Sequence, residues 1–168
     1  APIIAADYSA TRRALAERMG ADIVIDAASA SPYAHWQDYA VPAGRLDYAR
    51  FVAQGTSMRP SVVFECVGVP GVIQAILDGA PSNARIVVVG VCMQTDSFEP
   101  SLALMKEVDL RFVLGYSPSE YAASLHAIAE GHIDAAPLIT NVVDLDGVPD
   151  AFQALADPTD NAKIVIVP

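Results

Sequence analysis

Apolar, β-branched residues gather in short uninterrupted runs at Ile3–Ala6, Ile23–Ile25, Val62–Cys66, Ile86–Val91, Leu110–Leu114 and Ile164–Val167. An uninterrupted run, as opposed to strict alternation, is how a strand buried on both faces reads. Between several of them lie segments with helical spacing, Thr11–Met19, Val72–Asp78, Pro118–Glu130 and Val148–Ala156. Alternation of this kind predicts an α/β fold around a mostly parallel sheet. The sharpest boundary is Ser117-Pro118-Ser119-Glu120, an N-cap serine, a proline at the first helical position and a glutamate three residues after the cap. That is a capping box. Tyr121, Leu125 and Ile128 then fall on one helix face, an expected core stripe, and Gly131 supplies the stop.

The stretch Ala27–Pro60 breaks the pattern. It is rich in small residues, carries Tyr33, His35, Trp36 and Tyr39, and predicts a short helix around Leu46–Ala53. It reads as an elaborated connection whose aromatics pack on the domain or border a flat ring.

Composition adds bounds. With 168 residues, 53% apolar and 18% charged, the chain has material for one core-rich domain. A formal charge of -10 opposes a nucleic-acid backbone or an anionic membrane surface as partner. No apolar run reaches the roughly 20 residues that span a bilayer. Cys66 and Cys92 each lie near the end of an apolar run, outside any C-x-x-C, and read as buried thiols of a reducing, cytoplasmic setting. His35, His126 and His132 are scattered without metal-ligand spacing, so no metal site is expected within this chain.

Three places could carry chemistry. Asp7 ends the first apolar run, where the second strand of a dinucleotide-binding unit places a carboxylate for the ribose hydroxyls. A locally satisfied turn aspartate fits the position equally. In such units the acid lies roughly 20 residues beyond a G-x-G-x-x-G loop, yet only six residues precede Asp7. The carboxylate favours NAD over NADP, since a 2′-phosphate about 4 Å away would be repelled by about 4 kcal/mol at an effective dielectric of 20. Arg12 and Arg13 pull the other way, or are simply solvated. The second place is SVVFECVGVPGVIQAIL, a strand ending in Gly68 and Gly71 before a helix, and the third is ARIVVVGVCM with Gly90. Small residues at a strand's carboxyl end let a ligand approach the backbone, and they equally suit a tight turn.

In order and spacing, IIAAD with its helix and MGAD, FECVGVPG, IVVVGV, KEVDLRFVLGYS, Gly131 before PLIT, and AKIVIVP resemble the cofactor domain of the medium-chain dehydrogenase/reductase family, the zinc alcohol dehydrogenases. The resemblance implies a Rossmann-type doubly wound parallel sheet, here lacking its first strand and glycine-rich loop, so that residues 1–168 form part of a dinucleotide-binding domain. It implies roles as well. Asp7 would bind the adenosine ribose with Arg12 at its edge, and Val67 and Gly68 would line the cofactor channel. Val89, Gly90 and Val91 would lie beside the nicotinamide ribose and ring, and the backbone of Phe112 and Leu114 would hold the carboxamide. Lys163 would approach the pyrophosphate.

The zinc ligands of that family lie in a barrel domain upstream, so zinc is expected outside this chain, as are the barrel and the first βα unit. The implied activity is hydride transfer between NAD, or less readily NADP, and a small alcohol, polyol or carbonyl. The implied assembly is a homodimer, or a tetramer, through the edge strand Leu110–Leu114. An S-adenosylmethionine-dependent methyltransferase and a non-catalytic nucleotide-sensing module are the rival readings, the first because it also holds a ribose with an acid after its second strand.

Overall fold

The computed structural model describes residues 2–34, 36, 53, 61–157 and 159–168. These fall into two compact units, residues 1–32 with 116–168, and residues 33–115. Every strand pair in both is parallel.

In the second unit, β3 (Val62–Glu65), β4 (Arg85–Val88) and β5 (Asp109–Phe112) form one sheet in that order, with Val63 opposite Ile86 and Ile86 opposite Leu110. The helix α2 (Val72–Gly79) links β3 to β4, and α3 (Pro100–Met105) precedes β5. Val72, Ile73, Ile76 and Leu77 recur at helical spacing, so α2 presents one apolar face. That face meets Ala84, Ile86 and Val88 in a core joined by Val63, Leu102 and Leu110. Full burial of side chains such as Leu77 and Ile86, both 0% exposed, is worth roughly 1.5–3 kcal/mol each. The opposite sheet face is open: Val62 is 51% and Phe64 66% exposed. The expectation of strands buried on both faces therefore fails for β3, because the described residues of this unit supply helices to one face only.

Two side chains distant in sequence hold the ends of α2. Gly71 adopts φ +86° and offers no capping side chain. Asp96 fixes the turn instead, its Oδ1 accepting from Gly71 N–H at 2.9 Å. At the other end Lys106 Nζ donates to the carbonyls of Leu77, Asp78 and Ala80 at 2.5, 2.9 and 2.9 Å.

In the first unit, β1 (Ile4–Asp7) pairs with β2 (Ile23–Asp26) across the helix α1 (Ala10–Arg18). Leu15 and Ile25 are buried there. After α4 (Pro118–Ala129) and a 3-10 turn at Ala136–Leu138, β6 (Asn141–Val143) pairs with β7 (Ile164–Ile166), with α5 (Val148–Ala156) between them. Thr140 ties the two strands at their start, its Oγ1 accepting from Ala162 N–H and Lys163 N–H and donating to Lys163 O.

Several boundaries and burials differ from expectation. Asp7 belongs to β1, whereas β4 stops at Val88, which leaves Val89–Val91 as loop. The strand β6 and the helix α3 escaped the pattern because three and six residues carry too little periodicity. Cys66 is exposed and Cys92 half-buried, correcting the reading of both as buried thiols, since each lies in the loop beyond its strand. Tyr121, Leu125 and Ile128 are 57%, 56% and 45% exposed, so the stripe on α4 is no core within its unit. Tyr33 packs against the core of the second unit, whereas His35, Tyr39 and all of Leu46–Ala53 except Ala53 lie outside the described residues. Among the described residues no helix is long and apolar enough to cross a membrane.

The capping box forms as read: Ser117 N–H donates to Glu120 Oε2 at 2.6 Å and Glu120 N–H to Ser117 Oγ at 3.2 Å. The backbone bond from Ser117, and after it the side-chain bond, hold the Glu120 carboxyl below its usual range. A carboxyl depressed in the fold contributes stability above its unfolded pKa of about 4.3 and loses it as pH falls through the folded value. A carbon-detected titration of Glu120 should have its midpoint below about 4.3, and Ser117→Ala should move it only part of the way back. A wild-type midpoint at or above the free value would contradict the cap.

Candidate functional site

Glu65 is the last residue of β3, with a side chain inside the unit at 3% exposure. Its backbone oxygen accepts from Val89 N–H at 2.8 Å and Gly90 N–H at 2.9 Å. Its Oε1 accepts from Val67 N–H at 2.6 Å and Gly68 N–H at 2.8 Å. Two loops that follow neighbouring strands are thus bound to one residue.

These loops touch through their glycines. A Cβ on Gly68 would lie 2.6 Å from Val91 N and 2.9 Å from Gly90 C, and one on Gly90 would lie 2.4 Å from Gly68 N and 2.7 Å from Glu65 Oε2. Gly68 also adopts φ +71°. Val67, Val89 and Val91 remain 62%, 44% and 67% exposed, so the paired loops present a small apolar surface over a buried carboxylate. One strand along, Phe112 sits in register with Val88, and Val113 N–H donates to Val88 O. Phe112 and Leu114 are 64% and 92% exposed.

The Glu65 charge reaches its neighbours. Burial, then Glu65, pushes the Tyr33 hydroxyl up to about 12 and raises the Cys66 thiol. Cys66 therefore stays protonated and is a poor nucleophile at neutral pH.

In the first unit a cleft of about 160 Å³ opens at the end of β1, lined by Ala5, Ala6, Ala16 and Val24 with the charged Asp7, Arg12 and Arg13. Asp7 Oδ1 accepts from Ser9 N–H at 2.8 Å, the local turn bond, while Oδ2 lies 3.9 Å from Arg12 Nη1. Arg13 is more deeply committed: Nη1 donates to Asp7 O at 2.9 Å and Tyr8 O at 2.7 Å and lies 3.3 Å from Asp26 Oδ1. The turn reading of Asp7 is therefore met by one oxygen, and the other lies beside Arg12. Lys163 is exposed at the entrance to β7 and does not line this cleft.

The structure thus gathers Asp7 with Arg12 in one unit, and Val67, Gly68, Val89, Gly90 and Val91 in the other. Sequence reasoning missed Glu65 and undervalued Arg13. A signal for Glu65 was present in FECVG, a single acid closing an apolar run three residues before a glycine. Among the described residues no three His, Cys, Asp or Glu side chains gather as a metal site. The described residues therefore offer no set of side chains that fits a zinc ion.

A profile of the family described as zinc-binding dehydrogenase matches residues 1–130. Human sorbitol dehydrogenase is 27% identical over 153 residues, which cover 91% of this chain and 39% of that protein. A protein from Escherichia coli CFT073, described as a short chain alcohol dehydrogenase complexed with NADH, superposes with a TM-score of 0.75 at 19% identity over 99% of this chain and 44% of its own. A zinc-binding dehydrogenase from Sinorhizobium meliloti 1021, bound to NADP, does so with 0.74 at 23% identity over 99% and 45%. The likeness establishes the Rossmann-type fold. The chain spans about two fifths of the length of the curated relatives it matches.

The glycine contact generates a direct test. Gly90→Ala, whose backbone φ is not in the left-handed region, should destabilise through steric overlap alone, by about 1–3 kcal/mol or more. Gly131→Ala, with φ +73° and open space around its Cβ, should cost about 1 kcal/mol from conformation alone. Urea unfolding of both variants checks the ranking, and equal losses would contradict the close approach.

Proposed function

The chain belongs to the zinc-binding dehydrogenase family, and on that premise we propose that it is the cofactor-binding portion of an NAD-linked dehydrogenase acting on a small alcohol, polyol or carbonyl. The observation that carries this reading is the paired glycine loops, closed by Glu65 and lined by exposed valines at the carboxyl ends of two adjacent parallel strands. Open α/β sheets bind ligands outside the carboxyl ends of their strands. The similarity to sorbitol dehydrogenase supports a polyol or secondary alcohol as substrate.

In this reading Asp7 accepts from the adenosine ribose hydroxyls through Oδ2, with Arg12 at the ribose edge. Val67 and Gly68 line the channel. Val89, Gly90 and Val91 border the nicotinamide ribose and ring, the backbone of Phe112 and Leu114 holds the carboxamide, and Lys163 meets the pyrophosphate. Bound NAD supplies the hydride acceptor; the protein supplies orientation and a dry surface. A preceding barrel domain would hold the zinc, and the first βα unit of the sheet would carry the glycine-rich loop. The unpaired thiols Cys66 and Cys92 suit a reducing, cytoplasmic setting.

NAD is preferred over NADP because Asp7 faces the ribose, and Arg13, the stronger of the two nearby cations in its bonds, is already engaged by Asp26 and two carbonyls. Charge-assisted bonds of about 1.5–3 kcal/mol are removed by Asp7→Ser. In the full-length polypeptide this should cut kcat/KM for NAD by about 10- to 100-fold and narrow or reverse the NAD:NADP ratio. An unchanged ratio of the two efficiencies would refute the ribose role.

Among the described residues the strand β5 is one of the two edges of its sheet, and we infer that it pairs with its two-fold mate in a homodimer. Asp109 and Val113 direct their N–H groups to β4, so by the alternation of a parallel ladder Leu110, Phe112 and Leu114 direct theirs outward. Leu114→Pro blocks the outer edge while sparing the bonds to β4. Sedimentation should then show monomer where the wild type is dimeric. A wild-type monomer at micromolar concentration, or a variant still dimeric, counts against this edge.

A further inference from the structure

We propose that Glu65 is a positioning residue that sets the shape of the cofactor channel, acting through the backbones of Val67, Gly68, Val89 and Gly90. This rests on the cofactor reading above. Four of the residues assigned to the channel wall and the nicotinamide side, Val67, Gly68, Val89 and Gly90, donate their N–H to Glu65: two to its carboxylate and two to its carbonyl. One Cα therefore fixes the separation of two loops that come from different strands.

A structural role alone accounts poorly for this choice of residue. A carboxylate at 3% exposure carries a desolvation cost that an apolar side chain at the same place would not. The loop after β3 could turn with a serine or aspartate hydrogen-bonding locally. Neither would reach the same arrangement, because the two-carbon stem of glutamate brings Oε1 to both N–H groups. It also seats Oε2 in the space a Gly90 Cβ would need, 2.7 Å from it. The carboxylate fills the hollow behind the glycine contact, and the side chains exposed above it, Val67, Val89 and Val91, belong to the backbones it holds. Small misplacement of a supporting group is enough to lose binding geometry at such a site.

The pattern of bonds predicts an unusual ranking of variants. Both side-chain bonds converge on one oxygen, so Glu65→Gln retains that acceptor at the same reach. Glu65→Asp keeps the charge and loses the reach, and Glu65→Ala loses both. If positioning is the role, length matters more than charge.

The test uses the full-length polypeptide with three readouts: NADH titration by fluorescence, melting temperature, and hydrogen exchange at the Val67, Gly68, Val89 and Gly90 amides. Glu65→Gln should hold NADH within about threefold of wild type, while Glu65→Asp and Glu65→Ala weaken it by about tenfold or more. The Val67 and Gly68 amides should lose protection in Glu65→Asp and Glu65→Ala, and Glu130 and Gly131 should keep theirs. A folded Glu65→Asp or Glu65→Ala that binds NADH within about twofold of wild type, with its melting temperature lowered, would show a purely structural residue and overturn the proposal. Should Glu65→Ala fail to fold, equal NADH affinities for Glu65→Asp and Glu65→Gln overturn it instead. A wild type that binds no NADH overturns the cofactor reading and the proposal with it. Exchange then separates the two failures, because amide protection lost in Glu65→Asp shows that the clamp is real and serves something else.

Discussion

Two strand ends meet backbone to backbone at Gly68 and Gly90, and most of what surrounds them follows from that contact. Any side chain at either position would occupy space held by main-chain atoms or by Glu65 Oε2. The loops can therefore lie against one another only as bare backbone, and bare backbone has N–H groups that must be paired. Glu65 pairs them. Its burial follows from the contact as well, since the acceptor has to come from beneath the loops if their outer surface is to stay apolar.

The layered α/β character, the parallel pairing and the capping box were legible because each rests on local chemistry repeated over enough residues. Pro118 and Glu120 announce α4 whatever lies around it. Burial was less legible. Phe64 and Tyr121 have the spacing of core residues, but whether an apolar face is covered depends on which other elements arrive, and spacing along one element carries no such information. The glycines of the site stand out in the sequence, whereas the residue bonded to both loops leaves only the fainter signal of one acid closing an apolar run. A reading that looks for ligand contacts passes over Glu65, whose partners are all backbone and are brought near by the pairing of β3 with β4.

At the β1 cleft the two oxygens of one carboxylate have different surroundings. Asp7 closes a turn onto Ser9 and keeps a second oxygen beside Arg12. Arg13, one position on, is drawn into the carbonyls of Asp7 and Tyr8 and toward Asp26 of the neighbouring strand. Adjacent arginines on one helix turn both line the cleft but have different duties, Arg13 bracing the end of the strand and Arg12 standing beside the second Asp7 oxygen. The sequence shows them as an equivalent pair because it cannot show which of them points toward β2.

The helix α2 has the Asp96 carboxylate on the N–H of its N-cap residue Gly71 and the ammonium of Lys106 at its last carbonyls. A helix carries roughly half a positive charge at its start and half a negative charge at its end, and here each is answered by a side chain from the segment between β4 and β5. The helix is in effect an internally grounded dipole. Its N-terminus follows a glycine turn at the carboxyl edge of the sheet and sets a carboxylate beside the path of any approaching anion. This part of the edge therefore offers shape and apolar contact, in Val67, Val89 and Val91, in place of a positive field.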